Sequence, residues 1–188
     1  MIPWTHTPSN GQEQIAALAA TVPVLETDRL TLRMPRLSDW AVLEPIWTTD
    51  RGAHIGGPMS AEDAWLDFNQ CVAGWILRGH GALTICDRAT GAVLGLVVFG
   101  HEYGDPTPEL GWLLTEEAEG NGYATEAAAA LLPLCRQIYG EGFVSYIGDG
   151  NDASVRVAAR LGAVRSGSHP LDPTVATYRY PEKGTSDV

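Results

Sequence analysis

The alternation of apolar and polar residues predicts a series of short strands along the chain. In the segment 26–34, the apolar residues Leu30, Leu32 and Met34 alternate with polar neighbours, which is the period of a half-buried strand. Similar apolar segments, bounded by Gly, Pro, Asn or Asp, predict further strands. These cover residues 82–86, 93–100, 109–114, 143–147, 163–166 and 175–180.

Apolar residues at helical spacing separate these strands. Residues 61–78 place apolar side chains along one broad stripe, which predicts a long amphipathic helix with Trp65, Phe68 and Trp75 packed in the core. Other helices are predicted at about 39–48, 125–139 and 153–161. Three consecutive strands are typical of an antiparallel meander, and the later alternation with helices indicates a mixed sheet. The predicted fold class is therefore α+β and not doubly wound.

Length and composition indicate one domain. The chain has 188 residues, 45% of them apolar, which is enough to form one core. We place the domain at residues 25–180 and expect a C-terminal tail at 181–188. Residues 1–24 form an N-terminal extension that is either a flexible tail or a peripheral helix. We expect a monomer or a homodimer.

Charge and cysteine usage narrow the function. The formal net charge of −11 argues against a nucleic-acid or anionic-membrane surface, because both need a basic footprint. The same charge is compatible with a cationic substrate such as an amine. No apolar run approaches the roughly 20 residues of a membrane span, and the N-terminus has no secretory signal pattern. Cys71, Cys86 and Cys135 are scattered, which indicates reduced cysteines in a cytoplasmic protein.

The most informative segment runs from Glu109 to Ala127, where an apolar strand leads through a Gly-rich turn into an Ala-rich helix. Such a turn leaves backbone N–H groups unpaired at the positive end of a helix dipole. Gly120 and Gly122 have no Cβ, so a ligand can come close. The segment predicts a phosphate-bearing cofactor. A Rossmann motif is weak because Thr125 replaces its third glycine, and the Gly-Lys-Ser/Thr of a Walker A loop is absent.

Several motifs occur together in a fixed order. They are LETDRLTLR at 25–33, ELGW at 109–112, GNGYATEA at 120–127 and NDASVRV at 151–157, with Leu161-Gly162 after them. Together they resemble the GNAT superfamily of N-acetyltransferases, of the RimJ and RimL type that acetylates ribosomal-protein N-termini. The resemblance covers about residues 25–180. It implies a mixed, mostly antiparallel, twisted sheet of about six to seven strands, flanked by helices and splayed at the cofactor site.

The resemblance also implies an activity. An enzyme of this type transfers an acetyl group from acetyl-CoA, its co-substrate, to a primary amine by direct attack in a ternary complex. The acceptor is a protein or peptide N-terminus or a small-molecule amine. No His, Cys and Asp set has metal-ligand spacing, so no metal is expected. The alternative is a non-catalytic acyl-CoA-binding or regulatory domain of the same fold.

The cofactor residues follow from the same resemblance. In that family, a loop and the start of the helix that follows it wrap the pyrophosphate of acetyl-CoA. The strand before the loop carries a bulge and pairs with the pantetheine arm. The strand residues are Trp112, Leu113 and Leu114, and the loop residues are Glu119, Gly120, Asn121, Gly122, Tyr123, Ala124 and Thr125. Glu119 stands where relatives carry Gln or Arg, and Asn121 where they often carry Lys or Arg. The loop is therefore expected to depend on backbone N–H groups.

Two residues are candidates for the chemistry. Glu109 is expected to act as the base that takes a proton from the amine. The alternative role for Glu109 is structural, as a charge at the strand edge or as a member of an ion pair. Ser154 is expected to protonate the departing thiolate, because the position at which many relatives carry Tyr is Ala158 here. Asn151 is expected to contact the pantetheine arm, and its alternative is a helix cap. Six residues are expected to border the acceptor site, namely Trp47, His54, Ile55, His101, Glu102 and Tyr103.

Overall fold

The computed structural model describes residues 11–181, which form one open sheet with helices packed on both faces. The helices are α1 (Gln12–Ala19), α2 (Trp40–Leu43), α3 (Pro45–Thr48), α4 (Ala61–Arg78), α5 (Tyr123–Tyr139) and α6 (Asp152–Arg160). Short 3₁₀ helices lie at Leu37–Asp39, Asp50–His54 and Glu116–Ala118. The strands are β1 (Leu25–Glu26), β2 (Leu30–Arg33), β3 (Ala82–Asp87), β4 (Val93–Gly100), β5 (Glu109–Leu114), β6 (Val144–Gly148), β7 (Val164–His169) and β8 (Asp172–Arg179).

The strands are arranged in the order β1-β2-β3-β4-β5-β6-β8-β7. Neighbours pair antiparallel except for β5 and β6, which run parallel. The predicted α+β class and mixed, mostly antiparallel sheet are therefore confirmed. The sheet has eight strands in the described part of the chain, one more than predicted at most.

The extra strand arises because the predicted strand at 26–34 is split in two. A turn after Glu26 separates β1 from β2, and Thr27 N–H closes it by donating to the Leu30 carbonyl at 2.9 Å. The predicted helix at 39–48 is also split, with α3 beginning at Pro45. The carboxylate of Asp39 is drawn into an ion pair with Arg33 at 2.7 Å.

The two faces of the sheet bury separate cores. On β4, Leu96 packs in the cluster formed by α2, α3 and α4, whereas Val97 and Phe99 pack under α5 and α6. Phe68 of α4 is buried in the first cluster, and Trp75 packs against the second. The predicted core role of the α4 aromatic stripe is therefore confirmed. Because β4 is buried on both faces, it provides a rigid strand against which β5 pairs along one edge.

Helix α1 lies within the predicted N-terminal extension and buries none of its residues. Residues 1–10, and residues 182–188 of the predicted C-terminal tail, lie outside the described residues. Among the helices of residues 11–181, none is long and apolar enough to cross a membrane.

Candidate active site

The parallel strands β5 and β6 separate almost as soon as they meet. Within the described residues, their register consists of one pair, Glu109 with Val144. The next donor, Tyr146 N–H, does not continue the ladder to Leu110 but donates to Glu109 Oε1 at 3.1 Å. The Leu110 carbonyl accepts a hydrogen bond from the Ser145 hydroxyl instead. The side chains of Glu109 and Ser145 thus take the hydrogen bonds that would continue the ladder. Beyond this point a gap separates β5 from β6.

The backbone of β5 faces this gap at every second residue. The hydrogen bond to Ser145 shows that the Leu110 carbonyl points into it, and strand alternation gives Trp112 and Leu114 the same orientation. Leu113 points its carbonyl toward β4, where a Cβ added to Gly95 would lie 2.1 Å from it. Of the strand residues predicted to pair with pantetheine, Trp112 and Leu114 thus offer backbone groups. Leu113 offers only its side chain.

The predicted bulge in β5 is wrong. The register between β4 and β5 is unbroken over six residue pairs, and the irregular register lies between β3 and β4, at Ile85 and Cys86. The gap beside β5 therefore arises from the side chains that end the ladder. Gly95, with φ of +154°, allows β4 to lie close against the unbulged strand.

A cavity of about 790 Å³ occupies the gap and extends between α4 and α6. Most of the predicted site residues line it. They are Glu109, Trp112, Leu113, Leu114, Glu119, Gly120, Gly122, Ala124, Thr125, Asn151 and Ser154. The structure thus brings together β5, the start of α5 and the start of α6, which are distant in sequence.

The N-terminus of α5 opens onto this cavity. Gly122 precedes the helix in a left-handed conformation, with φ of +80°. The first intrahelical bond runs from Glu126 N–H to the Gly122 carbonyl at 3.1 Å, so the N–H groups of residues 123–125 have no acceptor within the helix. The Thr125 hydroxyl is also buried without a hydrogen-bond partner. These donors, at the positive end of a 17-residue helix, suit a phosphate group.

Asn121 and Tyr123 do not line the cavity, so their predicted contact with the cofactor stays a prediction that depends on their backbone N–H groups. Asn121 Nδ2 folds back onto the Glu119 carbonyl at 2.9 Å. The ring of Tyr123 lies 4.7 Å from the guanidinium carbon of Arg29. Arg29 also donates to the Asn121 carbonyl at 3.1 Å and pairs with Glu126 at 2.6 Å. These side chains fix the shape of the turn, with Glu126 paired to Arg29 beside the loop.

The start of α6 lies on the opposite side of the gap from β5. Asn151 Oδ1 accepts from Ser154 N–H at 3.1 Å, so Asn151 caps the helix while also lining the cavity. Ser154 Oγ accepts from Trp112 Nε1 at 3.2 Å, which links α6 to β5. Because its oxygen already accepts this bond, the Ser154 hydroxyl keeps its own proton for donation.

Glu109 lies at the point where β5 and β6 separate. Burial raises the pKa of its carboxyl to about 7; the hydrogen bond from Tyr146 lowers it, while the charges of Asp105 and Glu102 raise it. A carboxyl with this pKa exchanges protons readily near neutral pH. The predicted alternative of an ion pair is not observed, since Glu109 has no cationic partner among the described residues.

Further carboxylates line the cavity beyond Glu109. Burial raises the pKa of Asp67 and of Glu102, and the charge of Asp67 raises that of Glu102 further. Asp105 also lines the cavity, and its carboxylate accepts from Glu102 N–H at 2.8 Å. This end of the cavity therefore holds negative charge that is poorly compensated.

The residues predicted to border the acceptor site divide into two groups. His54, Ile55 and Glu102 line the cavity. Trp47 is fully buried and donates to Asp67 at 2.5 Å, and His101 and Tyr103 do not line the cavity, which corrects those predictions. The structure adds polar lining residues that the sequence did not indicate, and four of them bear on the chemistry. They are Arg51, Asp67, Asp105 and Tyr146.

Other kinds of chemistry find little support in this cavity. Cys71 lines it, but burial raises the pKa of its thiol far above the ordinary value, so the sulfur stays protonated. Between residues 11 and 181, no group of three or more His, Cys, Asp or Glu side chains is placed to hold a metal ion.

Comparisons with known proteins agree with this geometry. Residues 29–164 match the family model described as the acetyltransferase (GNAT) domain. The chain belongs to the GNAT acetyltransferase family. The predicted family and enzyme class are thereby confirmed. A comparison with curated proteins gave no match.

Solved structures share the GNAT fold. An acetyltransferase from Agrobacterium tumefaciens is 37% identical with a TM-score of 0.80, covering 86% of this chain and 95% of that one. A ribosomal-protein-serine acetyltransferase from Vibrio cholerae is 18% identical with a TM-score of 0.62, covering 84% and 95%. The ribosomal-protein acetyltransferase RimL, in complex with coenzyme A, is 18% identical with a TM-score of 0.64, covering 84% and 96%. The last two show similarity of fold.

Proposed function

We propose that this GNAT acetyltransferase transfers an acetyl group from acetyl-CoA to a primary amine, by direct attack within a ternary complex. The observation that carries the proposal is the position of Glu109, which lies on the cavity wall where β5 and β6 separate and has a pKa raised to about 7. A base is needed there because the ammonium form of an amine, with a pKa of roughly 10, is not a nucleophile.

The gap fits an extended thioester cofactor. The unpaired N–H groups at the start of α5 suit its pyrophosphate, and the backbone of Trp112 and the N–H of Leu114 can pair with the amides of its pantetheine arm. A backbone N–H of β5 that faces the gap would polarise the thioester carbonyl. Asn151 would contact the arm from the opposite side of the gap, where its side chain lines the cavity.

The proposed reaction needs two proton transfers. Glu109 takes one proton from the ammonium group, and the free amine attacks the thioester carbon. The new C–N bond forms as the C–S bond breaks, and the surplus proton of the nitrogen passes through the Ser154 hydroxyl to the departing sulfur. The bond from Trp112 holds Ser154 Oγ as an acceptor, so its proton is oriented for donation.

The charge of the cavity supports a cationic acceptor. Asp67, Glu102 and Asp105 line the part beyond Glu109, and burial raises the pKa of the first two. An ammonium group entering this part would stabilise their ionised forms, whereas an anionic acceptor would be repelled. A peptide N-terminus and a small-molecule amine both satisfy this requirement.

The test is thiol release from acetyl-CoA with a panel of peptides, polyamines and aminoglycosides. Wild-type protein should turn over at least one of them, and Glu109→Gln should lower kcat about 100-fold, the lower range for loss of a general base. Its affinity for coenzyme A should not change. Glu62→Gln, an exposed change on α4, is the matched control and should keep full kcat.

Two results would contradict the proposal. Full kcat in Glu109→Gln would remove Glu109 as the base. Binding of coenzyme A without turnover of any amine would instead support the non-catalytic acyl-CoA-binding domain.

A further inference from the structure

An arginine from a distant segment reaches the cavity beside the α5 loop. Arg51 belongs to the 3₁₀ helix Asp50–His54, and its side chain is 22% exposed. Its terminal nitrogen NH2 donates to the Leu114 carbonyl at 2.8 Å and to Glu119 Oε1 at 2.5 Å. Leu114 ends β5 and Glu119 immediately precedes the turn that leads into α5, so the guanidinium lies where the cofactor phosphates are expected.

The two arginines at this loop are held differently. Arg29 uses Nε and NH2 for Glu126 and NH1 for the Asn121 carbonyl, and it does not line the cavity. Arg51 lines the cavity, and its Nε is buried without a hydrogen-bond partner. A buried N–H of a charged group is costly to leave unpaired. Arg29 therefore stabilises the loop, whereas Arg51 can donate hydrogen bonds to a ligand.

We propose that Arg51 binds the pyrophosphate of the cofactor and that Glu119 is the residue that positions it. The inference rests on the proposed use of acetyl-CoA as the donor. Arg51 thus supplies, from another part of the chain, the positive charge that the loop itself lacks at positions 119 and 121. Glu119, which stands where relatives carry Gln or Arg, orients this arginine.

The geometry explains why a carboxylate next to a phosphate site is tolerated. One terminal nitrogen of Arg51 satisfies both Glu119 and Leu114, which leaves the other terminal nitrogen, NH1, for phosphate oxygens. A planar guanidinium can bridge two anions in this way because it carries five N–H donors in a fixed arrangement. Lysine has one point charge, so it cannot replace this arrangement.

Calorimetric binding of truncated ligands tests the assignment without relying on turnover. Arg51→Met should weaken binding of coenzyme A about tenfold, as expected for loss of a charge-assisted hydrogen bond. The loss should be the same for dephospho-CoA, which keeps the pyrophosphate, and should vanish for pantetheine, which lacks it. Arg51→Lys should recover only part of the affinity. Arg165→Met, an exposed change of equal charge on the edge strand β7, is the control.

The role of Glu119 is tested by a double-mutant cycle. With Arg51 present, Glu119→Gln should weaken coenzyme A binding because the arginine is no longer oriented. In the Arg51→Met background, the same change should strengthen binding, because only the repulsion between Glu119 and phosphate remains. If Glu119→Gln has the same effect in both backgrounds, Glu119 does not position Arg51.

The outcomes separate this inference from the proposed function. Equal affinity of wild type and Arg51→Met for coenzyme A would overturn the role of Arg51 and leave the acetyltransferase proposal standing. A penalty that disappears with dephospho-CoA would move Arg51 to the 3′-phosphate and also overturn the assignment. A wild-type protein that binds no coenzyme A would overturn both.

Discussion

The two ends of the cavity are built from opposite chemistry. At the α5 end, unpaired backbone N–H groups and Arg51 offer hydrogen-bond donors. At the other end, Glu109 and Asp67 offer carboxylates whose pKa values are raised by burial. Strand β5 runs between them. The difference teaches that one strand separates an anion-binding end from an acidic end, which under the proposed function would order the two substrates by charge.

The largest expected effect comes from a change that disturbs both ends together. In Gly95→Ala, the new Cβ would lie 2.1 Å from the Leu113 carbonyl and 2.8 Å from Leu114 Cα. Because both contacts are backbone, β5 must shift, and we expect the free energy of unfolding to fall by roughly 3 kcal/mol. Urea denaturation would measure this, and calorimetry should show weaker coenzyme A binding.

Gly100→Ala is the matched control on the same strand. Its added Cβ would meet only the Val98 side chain, at 3.6 Å. Stability and affinity should therefore stay close to wild type. Similar losses in the two variants would mean that β4 tolerates no substitution and that the close approach at Gly95 is not special.

The second prediction uses pH to distinguish the two ends of the cavity. Because the proposed base Glu109 must be ionised and its pKa is about 7, kcat/KM should rise about tenfold per pH unit below 7 and level off above it. Coenzyme A affinity should not follow this profile between pH 6 and 8. Glu109→Gln should abolish the dependence, and a profile unchanged by that substitution would assign the ionisation to another group.

The same ionisation affects stability with the opposite sign. The pKa of Glu109 is raised in the folded protein from its ordinary value of 4.5. Its contribution to the free energy of unfolding is therefore fully present below pH 4.5 and is lost as the pH rises through 7. Activity and the stability contributed by this residue thus change in opposite directions over the same range.

The smallest effect is expected at the outer part of the acidic end. Asp67→Asn keeps an acceptor for Trp47 Nε1 but removes the charge, so KM for the amine should rise about threefold with little change in kcat. Asp28→Asn removes an exposed charge outside the cavity and serves as the control. Unchanged steady-state constants in Asp67→Asn would mean that the cation binds elsewhere.

Much of the fold was predictable because it depends on local patterns. The apolar segment of β4 and the stripe on α4 follow from side chains buried in the core, and the structure confirms both. The strand-turn-helix around Gly122 also lies where the sequence predicted it. The split of the predicted strand at 26–34 was missed, since a turn closed by Thr27 and Leu30 leaves little trace in apolar spacing.

The site was predictable only in part. Residues on β5 and at the starts of α5 and α6 belong to recognisable motifs, and most of them line the cavity. Arg51 and Asp67 were missed because they come from segments without a motif and reach the cavity only through tertiary packing. The side-chain contacts of Asn121 and Tyr123, with the Glu119 carbonyl and with Arg29, were not predicted, because proximity in sequence to the loop does not fix which way a side chain points.

The hydrogen bond from Tyr146 N–H to Glu109 has a consequence for how substitution can change this site. Its donor is main chain, so no substitution at position 146 other than proline can delete it. The outer wall of the cavity includes the side chains of Asp67 and Glu102, which substitution can change. Under the proposed function, changes at these two positions would alter the acceptor while the main-chain hydrogen bond to Glu109 is kept.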